Sequence, residues 1–576
     1  MKNLKLILAT LSLTVGASAF AIPAKLGVRQ LKQPDGSSIA VKLVGNRNLH
    51  FYTTVDDQIL IQDNDGFFCY AELTERGDLI STDIRPVDSK KVKGVTLSPQ
   101  VVERIKSARV ATRALPQEGM GLYQNYYPTK GSPKVPVILV EFQDVKFSDT
   151  YDATEYFTNL VSGDNFEDPD IPGSIKQYFS DQSHGAFVPD FDIYGPITVD
   201  NDMAYYGANL FSGDDNAHKM VAEAVKQLDS QVDFSQYDVD KNGDIDFVYI
   251  IYAGYGENRD GGPDSIWPHA GMLKRNANFV TVDGVWVNSY ACSNELISEG
   301  NPEGPAAFIH EFSHIIGLPD LYPTDDMVII TGEFDYTPGY YSILDYGVYV
   351  NDGKTPPNYS AFERNAVKWD TPILIEEEGD YSLDEISTGQ FYLIPTDVNN
   401  EFFLLENRQQ QGWDRGLTGH GLLIWHIDYQ RAKFQNNEVN NKKEHQLVEL
   451  IRANNEVCFG HPLTNQEGFP FPGTSQNTEF SATSTPAMLA WSGYDMNMPV
   501  TNIAEKDGVV TFRIGQGSDD DEEDGTTGVA GIDADANGLY VVYNVSGVKV
   551  AQGNASIVDS LPKGLYIING KKVVVK

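Results

Sequence analysis

Between Pro305 and Asp320 the chain reads Pro-Ala-Ala-Phe-Ile-His-Glu-Phe-Ser-His-Ile-Ile-Gly-Leu-Pro-Asp, and no other segment limits its fold so tightly. Pro305 suits the first turn of a helix and Gly317 its end. His310 and His314 then project from one helical face, one turn above the other. Ile309, Phe312 and Ile316 fall on a different stripe, which predicts packing into a domain interior. Gly317 lets the chain reverse sharply, and Asp320, six residues after His314, can return a carboxylate to the two imidazoles. Two imidazoles and a carboxylate suit a zinc ion with one open position, and Glu311 between them is placed to act on water as a general base. Satisfied core histidines or a structural metal site would explain neither Glu311 nor the Gly-then-Asp extension.

The chain has 576 residues, enough for several domains, and 41% hydrophobic residues, which excludes global disorder. Its 81 acidic against 43 basic residues give a net charge of -38, a field that argues against nucleic acid as a partner. Lys2 and Lys5, the apolar stretch Leu6–Val15 and small residues ending at Ala19 or Ala21 read as a leader for export, residues 1–21. No later stretch is long and apolar enough to span a bilayer. Residues 22–113 alternate short apolar runs with turns such as Pro34-Asp35-Gly36, a small β-rich unit ending in the basic stretch of Arg104, Lys106, Arg109 and Arg113. That stretch suits proteolytic nicking. Residues 114–375 open with the buried-strand run Val137–Phe142, continue through helical stretches at Thr154–Val161 and His218–Leu228, and include a second buried run at Phe247–Tyr252. Residues 376–515 read as a β-rich, sandwich-like region. Residues 516–528 are an acidic linker, and 529–576 a small C-terminal β domain. The fold class expected is multidomain α+β.

A second cluster, Asp238, Asp240, Asn242, Asp244 and Asp246 with Gly243 among them, has oxygen ligands at alternate positions, like the start of a calcium loop. The twelfth position is Tyr249 rather than Glu, which excludes an EF-hand. A calcium-stabilised strand entry and a plain acidic turn both remain open. Tyr346 can donate to a developing oxyanion, although a packed aromatic at a turn fits equally. His269 and His426 read as structural. Cys69, in the N-terminal unit, could cap a zinc ion in a latent form, although a buried thiol is the commoner state, and Cys292 and Cys458 could pair in an oxidising compartment.

His310 to Asp320 resembles the zinc motif of the immune inhibitor A family of metallopeptidases. The segments Val137–Asp144, Asp238–Asp246, Ile266–His269, Glu406–Arg408, Trp413–Asp414, Gly421–Asp428 and Phe471–Gly473 are similar to family segments in the same order. Gln33-Pro34-Asp35-Gly36 resembles the family's propeptides. The resemblance implies an α/β zincin-like catalytic domain, a propeptide over residues 22–113, zinc on His310, His314 and Asp320, and Glu311 as base. It also implies protein or peptide substrates, secretion as a precursor and bound calcium. Leu344 stands where many relatives have Met in the turn after the zinc helix. Residues Tyr543–Val550 and Leu561–Lys576 resemble type IX secretion sorting domains, which implies passage through a Gram-negative periplasm and release or surface attachment. The rival expectation is a cell-surface binding protein with a degenerate metallopeptidase domain, for which Glu311 has no use.

Overall fold

Val137–Phe142 has too many consecutive apolar residues for a strand with one wet face. In the structure, a computed structural model, it lies mostly within a strand buried on both faces. The model describes residues 20–575 apart from 26, 47–48, 64, 74–78, 87–93, 99, 103–126, 165, 167, 208–215, 274–279, 288, 326–336, 399, 457–463, 516–538, 545–548, 555–556, 558–560, 562–563 and 569–570. The basic stretch, the acidic linker, Cys458 and the leader up to residue 19 therefore lie outside the described residues.

The central sheet is built from β1 (Phe20–Ala21), β2 (Lys134–Glu141), β3 (Asp190–Thr198), β4 (Val248–Tyr255), β5 (His269–Met272) and β6 (Ser289–Ser298). Their order is β1-β5-β6-β4-β2-β3, with Asn301–Pro302 paired to β6. The strands β3, β2, β4 and β6 run parallel, whereas β5 and β1 add antiparallel at one end. Alternation along the strands sorts the core into two. Ile138, Val140, Val248 and Ile250 belong to the core that holds Met220, Val221 and Val225. Those last three come from the helix Ala217–Leu228. Val137, Leu139, Tyr249 and Ile251 belong to the other core, with Phe308, Ile309 and Phe312 of the helix Ala306–Ile315. Tyr127, Phe179, Phe187, Phe191 and Phe247 surround Phe312 at ring distances of 5.1–6.2 Å. That helix is anchored by apolar burial, at about 1.5–3 kcal/mol for each large side chain removed from water.

The N-terminal unit is a six-stranded antiparallel meander from Val28–Lys32 to Leu79–Ser81. Its turns fall where the sequence placed them: the Gly36 amide bonds back to Gln33, and the Gly66 amide to Asp63. After Pro372 come a five-stranded sheet, which includes Glu401–Arg408 and Gly421–Asp428, and a three-stranded sheet ending at Val509–Ile514. The five-stranded sheet is apolar on both faces. Phe403, Leu405, Leu422 and Ile424 enter a core shared with the three-stranded sheet. Leu404, Leu423, Trp425 and Ile427 enter the core of the zinc-motif helix. Residues up to Gln516 form one compact unit, and those from Gly517 a second. The second contains a four-stranded antiparallel sheet over Tyr540–Val575. Among the described residues no helix is long and apolar enough to cross a membrane.

A buried cation, Arg408, ties the β-rich region to the core around the helix Ala306–Ile315. Arg408 grips Asp414 with two bonds of 2.6 and 2.7 Å and reaches Glu406 at 3.1 Å. It also donates to the carbonyls of Asn358 and Tyr341. Arg408→Leu leaves two carboxylates buried without their cation. It should cost about 3–5 kcal/mol of stability, read from the midpoint of urea unfolding. Arg408→Lys should recover only part of the loss, because an ammonium lacks the planar fork.

Candidate metal centre

The helix Ala306–Ile315 begins at Pro305, whose carbonyl accepts from the Ile309 amide, and ends where Gly317 adopts φ 102°. A side chain is strained at that φ, so glycine is what permits the reversal toward Asp320. His310 Nδ1 donates to the Ile343 carbonyl at 2.7 Å, and His314 Nδ1 to the Leu318 carbonyl at 2.8 Å. These bonds fix the tautomer and turn both Nε2 atoms inward. The two Nε2 atoms are 3.2 Å apart, and each lies 3.3 Å from Asp320 Oδ1. A tetrahedron around zinc with bonds of about 2.0–2.1 Å has edges of about 3.3–3.4 Å, so the triangle fits that ion. Among the described residues this is the group of three or more candidate ligands whose atoms all lie within 4.8 Å of one another. Burial alone would raise the Asp320 carboxyl, but the two imidazoles outweigh it and hold the group well below the usual carboxylate range. Burial pushes His310 down, toward the neutral form that binds metal.

Two supports come from residues that the sequence reading did not single out. Asn437, in the β-rich region, donates from Nδ2 to Asp320 Oδ2 at 2.6 Å and accepts from the Asp320 amide at 2.8 Å. Its neighbour Asn440 donates to the Leu321 carbonyl at 2.8 Å. Tyr322 is buried against the same carboxylate; burial first, then the charges of Asp320 and Glu311, push its phenol well above the usual range. Beneath the site, the Leu344 carbonyl accepts from the Leu321 amide at 2.9 Å, and the Leu344 amide donates to Ser342 Oγ at 3.0 Å. The turn thus works through its main chain. The Leu344 side chain only fills core, where its volume is close to that of Met.

A segment of the chain itself lies against Glu311. Strand β1 pairs antiparallel with the edge strand β5, Phe20 opposite Ala270 and Ala21 opposite His269. Beyond it the Ile22 amide donates to Glu311 Oε1 at 3.2 Å, and Trp267 Nε1 donates to the Ile22 carbonyl at 2.6 Å. The Tyr349 hydroxyl donates to the Pro23 carbonyl, and the Lys25 amide to the Asn258 carbonyl at 3.0 Å. The leader span 1–21 therefore ends inside the central sheet. Cleavage after Ala19 would keep β1, whereas cleavage after Ala21 would remove it.

Cys69 does not cap the site. It is buried within the N-terminal sheet, its thiol donates to Asp63 at 3.5 Å, and burial followed by that contact pushes it up to about 11. A protonated, enclosed thiol is a poor metal ligand. His269 is fully buried between the Trp267 carbonyl and the Tyr290 hydroxyl, as a structural histidine should be. His426 is bonded to Glu401 at 2.9 Å and stacked on Trp491. The Cys292 thiol lies 3.4 Å from His269 Nδ1. Tyr346 packs into the core 6.3 Å from the Tyr349 ring.

In the acidic loop, Asp238 accepts from the amides of Asn242 and Gly243, both at 3.0 Å, and Asp240 accepts from the Asn242 amide at 3.0 Å. Asn242 accepts from the Asp244 amide at 2.7 Å, and Asp246 from the Val239 amide at 2.9 Å. The loop is closed by its own main chain. Asp246 is pushed up to about 6, first by burial and then by Asp240, Asp238 and Asp244.

Residues 124–371 match the family model for the Immune inhibitor A peptidase M6 catalytic domain. Immune inhibitor A of Bacillus thuringiensis subsp. alesti is 30% identical over 273 residues, covering 39% of this chain and 38% of that protein. Pre-pro-metalloprotease PrtV of Vibrio cholerae serotype O1 is 27% identical over 278 residues, 41% of this chain and 29% of that protein. The chain thus spans well under half the length of these curated relatives.

Two expectations follow from the geometry. Asn437→Ala frees Asp320 Oδ2 and should weaken zinc binding about tenfold to hundredfold in a chelator competition; unchanged affinity would remove Asn437 from the site. The folded-state value for Asp246 exceeds its ordinary 3.8, so the folded chain holds the extra proton. Stability should therefore fall as pH rises from about 4 to 6. Asp246→Asn should flatten that part of the calcium-free unfolding profile, and an unaltered profile would show a normally titrating group.

Proposed function

We propose, on the premise that this chain carries a catalytic domain of the immune inhibitor A peptidase M6 family, that it is a secreted zinc endopeptidase made as a zymogen. One observation carries this reading most of the way: His310, His314 and Asp320 converge to 3.2–3.3 Å with Glu311 beside them. His310, His314 and Asp320 would hold zinc, which when bound supplies a Lewis acid that acidifies water and polarises a carbonyl. Glu311 takes the proton from the attacking water and passes it to the nitrogen of the departing amine. In the full chain its carboxylate is buried under Ile22, whose departure would open it to water and substrate. Asn437 keeps Asp320 oriented while this happens.

The segment at Ile22–Lys25 supports latency. Its amide sits on the base, and its main chain is held by Trp267, Tyr349 and Asn258. Substrate cannot use Glu311 while Ile22 does. We place activation in the basic stretch 104–113 and export under the leader. The C-terminal sheet is read as a sorting domain that leads to release or surface attachment. Calcium at Asp238, Asp240, Asn242, Asp244 and Asp246 would replace the repulsion now borne by Asp246; adding it to the zinc-loaded protein should raise the thermal midpoint. No shift would count against that site.

The deciding experiment is casein hydrolysis by protein beginning near Ala114, alongside Glu311→Gln and a zinc chelator. Hydrolysis should be lost with the chelator. It should fall at least a hundredfold in Glu311→Gln, which still binds zinc. Folded, zinc-loaded protein without hydrolysis would favour the rival surface-binding reading.

A further inference from the structure

We infer that Ile22–Lys25 lies against Glu311 as the leaving side of a substrate would, and that the enzyme selects peptides with a branched aliphatic residue immediately after the cut bond. This rests on the peptidase reading and names the substrate class of that same site. A base that protonates the leaving amine must lie within hydrogen-bond reach of that nitrogen. The nitrogen 3.2 Å from Glu311 Oε1 is that of Ile22. Ile22 therefore stands where the first residue after the cut would stand. The antiparallel pairing of β1 on the edge strand β5 has the form of peptide addition to a sheet edge, which holds main chain of any sequence.

Selection comes from the side chains. Ile22 is 1% exposed and joins the apolar core that also holds Ala270, Leu344, Tyr346 and Tyr349. An ionised side chain there would be buried without a counter-charge, and a small one would leave a void. The next two positions are contacted through carbonyls and other main-chain groups. Trp267 Nε1 holds the Ile22 carbonyl and the Tyr349 hydroxyl the Pro23 carbonyl, contacts that do not read side chains. Ala24 is enclosed by the N-terminal unit together with Trp267. Lys25 Nζ meets Asp352 at 2.5 Å, but both side chains are largely in solvent, at 40% and 59% exposure. That pair should bias selection only weakly. The enclosed pocket dominates.

The test uses the full chain carrying Ile22→Asp, which places a carboxylate in the apolar pocket and expels the segment. Ile22→Gly serves if that chain misfolds. Peptides Phe-Ala-Xaa-Pro-Ala-Lys, with Xaa Ile, Val, Ala or Asp, are bound to the version that also carries Glu311→Gln, and are digested by the version that keeps Glu311. Ile and Val should bind about tenfold to hundredfold more tightly than Ala, with Asp weaker still, and kcat/KM should follow the same order with the cut before Xaa. Equal binding of all four, binding of none, or a cut elsewhere overturns the inference. Ordered binding without cleavage of any peptide would keep the subsite and fail the peptidase reading. Cleavage without preference would do the reverse.

Discussion

The carbonyls of Ile343 and Leu318 decide which nitrogen each imidazole presents to the metal, and much of the molecule serves to keep those carbonyls still. Ser342 and Glu363 are bonded below the first, and Arg408 reaches the neighbouring Tyr341 carbonyl from inside its ion cluster. The Leu318 carbonyl lies in the reversal that Gly317 permits and Asn437 closes. A histidine pair on a helix supplies direction only when the second nitrogen of each ring is committed. Here that commitment reaches through the core into a sheet more than a hundred residues away in sequence.

That sheet explains why the β-rich region cannot be treated as an appendage. Its residues alternate between its own core and the core of the metal helix, and Arg408, Asn437 and Asn440 come from it or its loops. Damage to its packing should be felt at Asp320 before it is felt at the surface. The -38 net charge is spread over a chain whose few deeply buried cations are each matched to carboxylates or carbonyls, as Arg408 and Arg364 are. Solubility is set at the surface and the fold is set inside.

The sequence made the metal triangle legible because its members sit within one helix and one turn, where spacing is geometry. Buried strands such as Val137–Phe142 were legible because parallel sheets erase the alternation of polar and apolar residues. Asn437 was not, because an asparagine among several in Asn436–Asn441 carries no mark of the one partner 117 positions away. Ile22 was read only as the residue after a leader, and its contact with Glu311 spans 289 positions. Cys69 was open to two readings, a zinc cap or a buried thiol, and it is the buried thiol that the fold contains; burial is what keeps it protonated. The oxygen-rich loop was legible as a turn, but its carboxylates bond their own amides, an arrangement that spacing alone does not distinguish from a cation's cradle.

Strand β5 has a different significance once β1 is gone. It lies at the rim of the central sheet with a row of main-chain donors and acceptors that only another extended chain can satisfy. In the full chain Phe20–Ala21 covers that row. Without that segment the row is open, and in concentrated solution the nearest extended chain is a frayed piece of another copy. An edge that can hold extended main chain of any sequence also makes each uncovered molecule a template for its neighbours. The segment that covers this edge is thus also what keeps copies of this chain apart.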